Sequence, residues 1–201
     1  MGKSGSNTIR QVANSAAWVA ALLIGIATEA RAAAVFIEDE QLKQRLVEAL
    51  ASTEAFEDRY AAEVWLVDMS GRLYKMVPDE NERLELLRLI HAEASRARLP
   101  PELVLALIQV ESRFDRYAIS NAGAQGLMQI MPFWLKKIGR TDDNLFRAST
   151  NLRMGCTILR YYLEKEKGDM TRALARYNGS LGSYRYPNRV YDALRTRWAK
   201  R

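Results

Sequence analysis

From residue 38 onward, apolar residues return every three or four positions and do not fall into the alternation of a strand. A repeat near 3.6 gathers them on one side only in an α-helix; a strand would scatter them over both faces. "EDEQLKQRLVEALAS", "TEAFEDRYAAEVWLVDMSGRLYKM" and "DENERLELLRLIHAEASRAR" all show this spacing among charges, so residues 38–98 read as helix throughout. Pro78 divides the second stretch from the third, and Asp79 is placed to cap the third. Leu99-Pro100-Pro101 breaks the chain, and Pro101 suits the first turn of a new helix. The pattern then predicts helices over 101–112, 132–138, 150–167 and 170–176, and a last one after Pro187. Residues 113–125 read as a loop, with a short helical turn from Gly126. The expected fold class is all-α, with the helices before Pro100 packed on the following domain as an N-terminal extension.

The first 34 residues bear on compartment. Lys3 and Arg10 precede the apolar run "AAWVAALLIGIA" (16–27), and "EARAAA" offers small residues at the −3 and −1 places of a cleavage site. Positive, apolar, then small is the order of a secretory signal peptide. The apolar run falls below the roughly 20 residues that span a bilayer, so no stable membrane insertion is expected after cleavage and the predicted location is the periplasm. "MGKSGS" fits a myristoylation pattern, but the export signal directly behind it argues for secretion. The formal charge is +6, and loss of Lys3, Arg10 and Arg31 against Glu29 leaves the remainder mildly basic. An anionic partner follows from that. A nucleic acid does not, because basic residues alternate with acids in "DENERLELLR" and "YLEKEKGD" instead of forming a stripe. Cys156 is the only cysteine, so there is no internal disulfide and no Cys/His metal spacing. Leu152, Leu159 and Leu163 at helical spacing around Cys156 mark it as a core thiol. His91, with no carboxylate or cysteine cluster around it, reads as structural or surface.

One position breaks the pattern. In "PELVLALIQVES", Leu103, Val104, Leu107 and Ile108 make a stripe, and Glu111 projects from its middle, one turn below the helix C-terminus. Glu102, Gln109 and Ser112 fall towards the other side. Loss of water and the negative end of the helix both disfavour a charged Glu111. An acid starting near 4.3 is then expected to titrate at about 6 or above, as a general acid does. The alternative is a buried glutamate paired with Arg113 or Arg116. Further along lie a small-residue loop, "SNAGAQG", then Met128 and Gln129, and later Tyr177 and Asn178 where another helix ends. Tyr117, Phe133, Trp134, Tyr184 and Tyr186 add flat faces of the kind sugar rings stack on. Together they describe a polar cleft with one acid, amides, aromatics and no metal or cofactor.

Glu111-Ser112, Gly126-Leu127-Met128-Gln129 and Tyr177-Asn178, in this order and spacing, resemble the three motifs of the family 1 (soluble-type, SLT-domain) lytic transglycosylases. "DNLFRASTNLRMGCTILRYYL" is also similar to that family's stretch before its Tyr-Asn motif. The resemblance covers about residues 88–195, with departures at Arg176, where alanine is usual, and at "FWLKKIG", where smaller residues are usual. It implies a lysozyme-like (goose-type) helical catalytic domain over 88–201 behind a helical extension at 35–87. It further implies cleavage of the β-1,4 bond between N-acetylmuramic acid and N-acetylglucosamine in peptidoglycan strands. Glu111 would be the acid and then the base, and Tyr177 the residue that hydrogen-bonds and orients it. Gly126, Met128 and Gln129 would grip the acetamido sugar, with Ser112 and Asn178 as neighbouring polar groups. Asp115 is the nearest other carboxylate, but past the expected helix end it reads as a turn residue, so the substrate's own 2-acetamido group would take the place of a second acid. A goose-type lysozyme, which uses water as acceptor, and a non-catalytic wall-binding protein are the competing readings. For residues 35–87 a docking surface for an envelope protein, a clamp on the glycan and a brace all remain open.

Overall fold

The computed structural model describes residues 40–51 and 59–199; the signal-peptide expectation and the start of the first helix lie outside them. The chain from Glu40 onward makes one compact unit. Its helices are α1 (Glu40–Ala51), α2 (Arg59–Leu73), α3 (Glu80–Arg96), α4 (Pro101–Glu111), α5 (Phe133–Lys137), α6 (Ala148–Lys165), α7 (Met170–Tyr177) and α8 (Arg185–Ala193). A π-helical turn, Leu194–Trp198, closes the described chain. Among the described residues there are only two isolated β-bridges, Ile119 to Gln125 and Gln125 to Ile130. The all-α expectation is met.

The starts of these helices are written in short polar residues and prolines. The Asp79 carboxylate accepts from the Glu82 amide at 2.7 Å and Asp169 accepts from Arg172 N at 3.0 Å, each satisfying an amide that α3 or α7 cannot bond internally. Pro101 opens α4 as expected. Two boundaries differ from the sequence reading. The segment after Gly126 is a turn, not helix, because Gly126 and Gln129 both adopt positive φ. The last helix begins ahead of Pro187, which sits in its first turn where a missing N–H costs nothing.

α4 is the central element. The expected single stripe proves to be burial on nearly every side, since Glu102 is buried along with Leu103 through Ile108. The face expected to be polar is covered instead by two tryptophans. Trp65 Nε1 of α2 donates to Glu102 Oε1 at 3.2 Å, and Trp198 Nε1 donates to Gln109 Oε1 at 2.8 Å. α4 packs against α3, α8 and the π turn, while α6 packs against α1, α3 and α7. A helix enclosed this way is fixed in rotation and in height, which positions whatever its last residue carries.

α1 joins this body through Leu42, Leu46 and Ala49, all buried. Arg153 of α6 reaches the Ala49 carbonyl at 2.6 Å and also holds Glu93 of α3, with Nε 2.7 Å from both carboxylate oxygens. Arg96 adds a bond to Glu93 at 2.8 Å and another to Thr157 Oγ1 at 2.8 Å. Glu93 is thus a buried charge with two cationic partners, the condition under which burial is tolerated. Cys156 is fully buried and burial drives its thiol pKa upward, so it is the core residue expected.

Candidate active site

Glu111 is the last residue of α4, which ends one residue short of the expected 101–112. Ser112 caps the helix, and Arg113 and Phe114 then take positive φ, turning the chain sharply away. Phe114 is anchored by burial and by the Trp198 ring 5.6 Å away. The carboxylate therefore stands where the helix exposes its unpaired carbonyls, the end least favourable to negative charge.

Glu111 keeps part of its surface open to solvent, but its carboxyl is enclosed by protein. Desolvation raises its pKa from an ordinary 4.5 to about 7. A hydrogen bond from the Tyr186 hydroxyl at 2.5 Å and the nearby Arg189 charge pull it the other way and limit the rise. Neither Arg113 nor Arg116 pairs with it among the described residues, so the ion-pair alternative falls. Asp115 is exposed and accepts from the Tyr117 amide at 2.8 Å, the turn role expected of it.

The hydrogen bond expected from Tyr177 to Glu111 is made by Tyr186. Tyr177 is buried, and its hydroxyl donates instead to the Met128 carbonyl at 2.7 Å, bracing the turn beside the acid. Burial and the Glu111 charge raise its pKa well above the ordinary tyrosine value. The change of partner follows from geometry. Tyr177 ends α7 with its ring in the core, whereas Tyr186 lies on the buried stripe of α8 with Val190 and Ala193, and α8 packs directly on α4.

The Gly-Leu-Met-Gln segment is a tight turn held from below. Gly126 has φ +76°, and a Cβ there would come within 2.4 Å of Asn151 Nδ2 and 2.5 Å of the Leu145 carbonyl. Its close approach is therefore to α6 and its neighbours, not to a ligand. Asn151, fully buried on α6, accepts from Met128 N at 2.7 Å and donates to the carbonyls of Gln125 at 2.8 Å and Leu145 at 2.9 Å. The Met128 side chain is completely buried over Gly155, where a Cβ would meet its Sδ at 2.4 Å. Its thioether supports the turn from behind instead of meeting solvent. Ser112 is buried too, its hydroxyl donating to the Leu127 carbonyl at 2.8 Å and tying the end of α4 to the turn.

Gln129 is half-buried. Its Nε2 donates to Gly126 O at 2.9 Å and Ala118 O at 3.2 Å, which directs its Oε1 away from the turn as an open acceptor. Asn178 caps α7 with its side chain exposed. Of the five aromatic residues expected to offer flat faces, Tyr117 and Tyr184 are exposed, at 65% and 71%, Phe133 is half-buried, and Trp134 and Tyr186 are buried. Arg176, a departure from the family pattern, points away to Glu166, with its Nε 2.6 Å from Oε1. Among the described residues no group of His, Cys, Asp or Glu is placed to hold a metal ion.

Sequence reasoning missed Tyr186 as the partner of the acid and Asn151 as the anchor of the turn. The signal for Tyr186 is its i, i+4, i+7 register with Val190 and Ala193; for Asn151 it is an amide beside Leu152 on an otherwise apolar helix face.

A proton-holding acid at a helix end beside a turn braced by Tyr177 is the geometry on which the sequence comparison bears. The transglycosylase SLT domain model matches residues 88–197. The chain belongs to the SLT transglycosylase family. The match begins within α3, so α1 and α2 stand outside the SLT domain. Within this family the chain is 35% identical over 96 residues to a transglycosylase of Enterobacteria phage PRD1, covering 48% of this chain and 35% of the phage protein. It is 29% identical over 109 residues to membrane-bound lytic murein transglycosylase C of Actinobacillus pleuropneumoniae serotype 5b (strain L20), covering 50% of this chain and 30% of that protein. The crystal structure of an inactive variant of the lytic transglycosylase Slt from Pseudomonas aeruginosa matches with 28% identity and a TM-score of 0.40, over 51% of this chain and 17% of that one. The chain spans about a third of the length of the curated relatives it matches. Among the described residues no helix is long and apolar enough to cross a membrane.

Proposed function

We propose that this protein is a peptidoglycan lytic transglycosylase. In this reading it cleaves the N-acetylmuramic acid–β-1,4–N-acetylglucosamine bond without water and acts in the periplasm after export. The observation that carries the proposal is Glu111, an acid at about 7 with no ion pair among the described residues, beside the Gly-Leu-Met-Gln turn. Near neutral pH such a group is populated both with and without its proton, so one side chain can serve as donor and then as acceptor. Protonated Glu111 gives its proton to the glycosidic oxygen as the bond to the muramic C1 breaks, and the positive centre is stabilised by the neighbouring 2-acetamido group. The resulting carboxylate then takes the proton from the C6 hydroxyl as that oxygen closes on C1, leaving a 1,6-anhydromuramoyl end. Tyr186 fixes the direction of the carboxyl and keeps the charged form accessible through its hydrogen bond. Tyr177 and Ser112 hold the turn, and Gln129 and the exposed Asn178 are the polar groups offered to the sugar.

The mass of the cleaved ends tests this. Intact sacculi digested with the protein should yield ends lighter by one water than reducing muramic ends, and Glu111→Gln should lower the rate at least about 100-fold, as expected for loss of a general acid. Reducing ends would instead make the enzyme a goose-type hydrolase. Unchanged wall lysis by Glu111→Gln would end the assignment of Glu111, and wall binding by the wild type without any cleavage would leave a non-catalytic wall-binding role.

A further inference from the structure

Away from Glu111, a pocket of about 320 Å³ opens between α3, the segment leaving Glu111 and the start of α6. Its apolar lining is Leu86, Leu89, Phe114 and Leu127. Around this lining stand four charges from three elements. Glu82 and Glu85, one turn apart on α3, supply two carboxylates, and Arg116 and Arg147 supply two guanidinium groups. None of the four forms an ion pair among the described residues. Arg116 is held in place by the Phe146 carbonyl at 3.4 Å and by the Tyr117 ring, 5.2 Å from its centre. Its Nε is buried with no hydrogen-bond partner, a costly state for a charged donor unless an acceptor arrives. Arg147 stands at the N-cap of the 18-residue α6 without capping it through its side chain. The larger groove between α1 and α6 differs in this respect. There Arg45 and Arg160 share Glu164, and Arg96 is held by Glu93, so three of its four arginines are already matched.

We infer that this pocket binds the end of a peptide that carries both a free amine and a carboxylate next to short aliphatic groups. A purely anionic ligand would meet Glu82 and Glu85, and a purely cationic one would meet Arg116 and Arg147. A zwitterionic end satisfies both sets: its carboxylate accepts from the guanidinium groups, its ammonium donates to the α3 carboxylates, and its aliphatic part covers the half-buried Leu89. The pocket shares Leu127 with the Gly-Leu-Met-Gln turn and takes Phe114 and Arg116 from the segment after Glu111. The source of the ligand rests on the function proposed above. On that reading it is a stem peptide of the glycan whose diamino acid still has its amine free, so the pocket distinguishes uncross-linked from cross-linked stems.

Calorimetry with the full chain and a stem tripeptide ending in a diamino acid tests the pocket without reference to catalysis. Arg147→Glu and Glu85→Lys alter exposed side chains, and unchanged melting temperatures would certify their fold. Each variant, and acetylation of the peptide's side-chain amine, should weaken binding about tenfold, the loss of one charge-assisted hydrogen bond. On peptide-bearing uncross-linked glycan, Arg147→Glu should raise KM about tenfold at constant kcat, with cleavage of peptide-stripped glycan unchanged. Equal binding of the acetylated peptide, or wild-type affinity in both variants, overturns the inference. Should the wild-type chain cleave neither glycan yet bind the peptide with this dependence, the pocket stands and the catalytic reading falls.

Discussion

Folding changes how tightly Glu111 holds its proton. Its pKa moves from an ordinary 4.5 to about 7, so the folded protein binds a proton over a range where the unfolded chain has lost it. Stability therefore falls as pH rises through that interval, and above it the charged, desolvated carboxyl costs about 3 kcal/mol. Glutamine has the same shape, can still accept from Tyr186, and carries no charge at any pH. Glu111→Gln should thus match the wild type in stability at about pH 4 and exceed it by about 3 kcal/mol at about pH 8, with the gap opening between. Denaturant unfolding at a series of pH values measures this, and a pH-independent difference would show that the carboxyl is not desolvated as described. An inactive variant that is more stable than its parent in neutral solution is what a strained functional group produces.

At the level of elements, α6 acts on the site without reaching it. Asn151 spends its whole side-chain amide on Met128, Gln125 and Leu145, which ties α6 to the Gly-Leu-Met-Gln turn at Met128 and to the residue just ahead of it. Asn151→Ala leaves one amide and two carbonyls without these partners and should cost about 3 kcal/mol or more. The lost anchorage should also lower kcat/KM more than the loss of folded protein explains. Urea unfolding together with kinetics corrected for the folded fraction checks both, and a cost below about 1 kcal/mol would show that the turn holds itself. This also marks what the sequence can and cannot reveal. The helices were legible because their periodicity and caps are local, and Glu111 because it interrupts an apolar run. The all-round burial of α4 was not, since its cover comes from Trp65 and Trp198, 37 and 89 residues away from the groups they bond. Tyr177 and Tyr186 look alike in sequence, nine positions apart, and only the packing of α8 on α4 decides which one meets the acid.

At the scale of the whole molecule, α2 and the C-terminal turn close on each other. Arg72 of α2 donates to the carbonyls of Arg197 at 2.9 Å and Ala199 at 2.7 Å, and Arg197 returns a bond to the Arg72 carbonyl at 3.2 Å. Trp198, one residue past the SLT match, is fully buried between these contacts, bonded to Gln109 and stacked near Phe114. The C-terminal turn thus packs against the end of α4 that carries Glu111, and α2, which lies outside the SLT match, is tied to that turn through Arg72. Arg72→Ala removes bonds at the part-exposed rim and should cost about 1–2 kcal/mol. Trp198→Ala opens a cavity beneath Phe114 and strips Gln109 of its donor, and should cost about 3–5 kcal/mol. Because Phe114 fixes the turn that leaves Glu111, the tryptophan variant should also shift the pH dependence of whatever activity its folded fraction retains, whereas the arginine variant should not. Unfolding midpoints and pH–rate profiles of the two proteins separate these effects. Equal and small costs, with identical profiles, would show that neither contact bears on Glu111; unequal ones make Trp198 a support of the turn that leaves Glu111 and Arg72 only its outer tie.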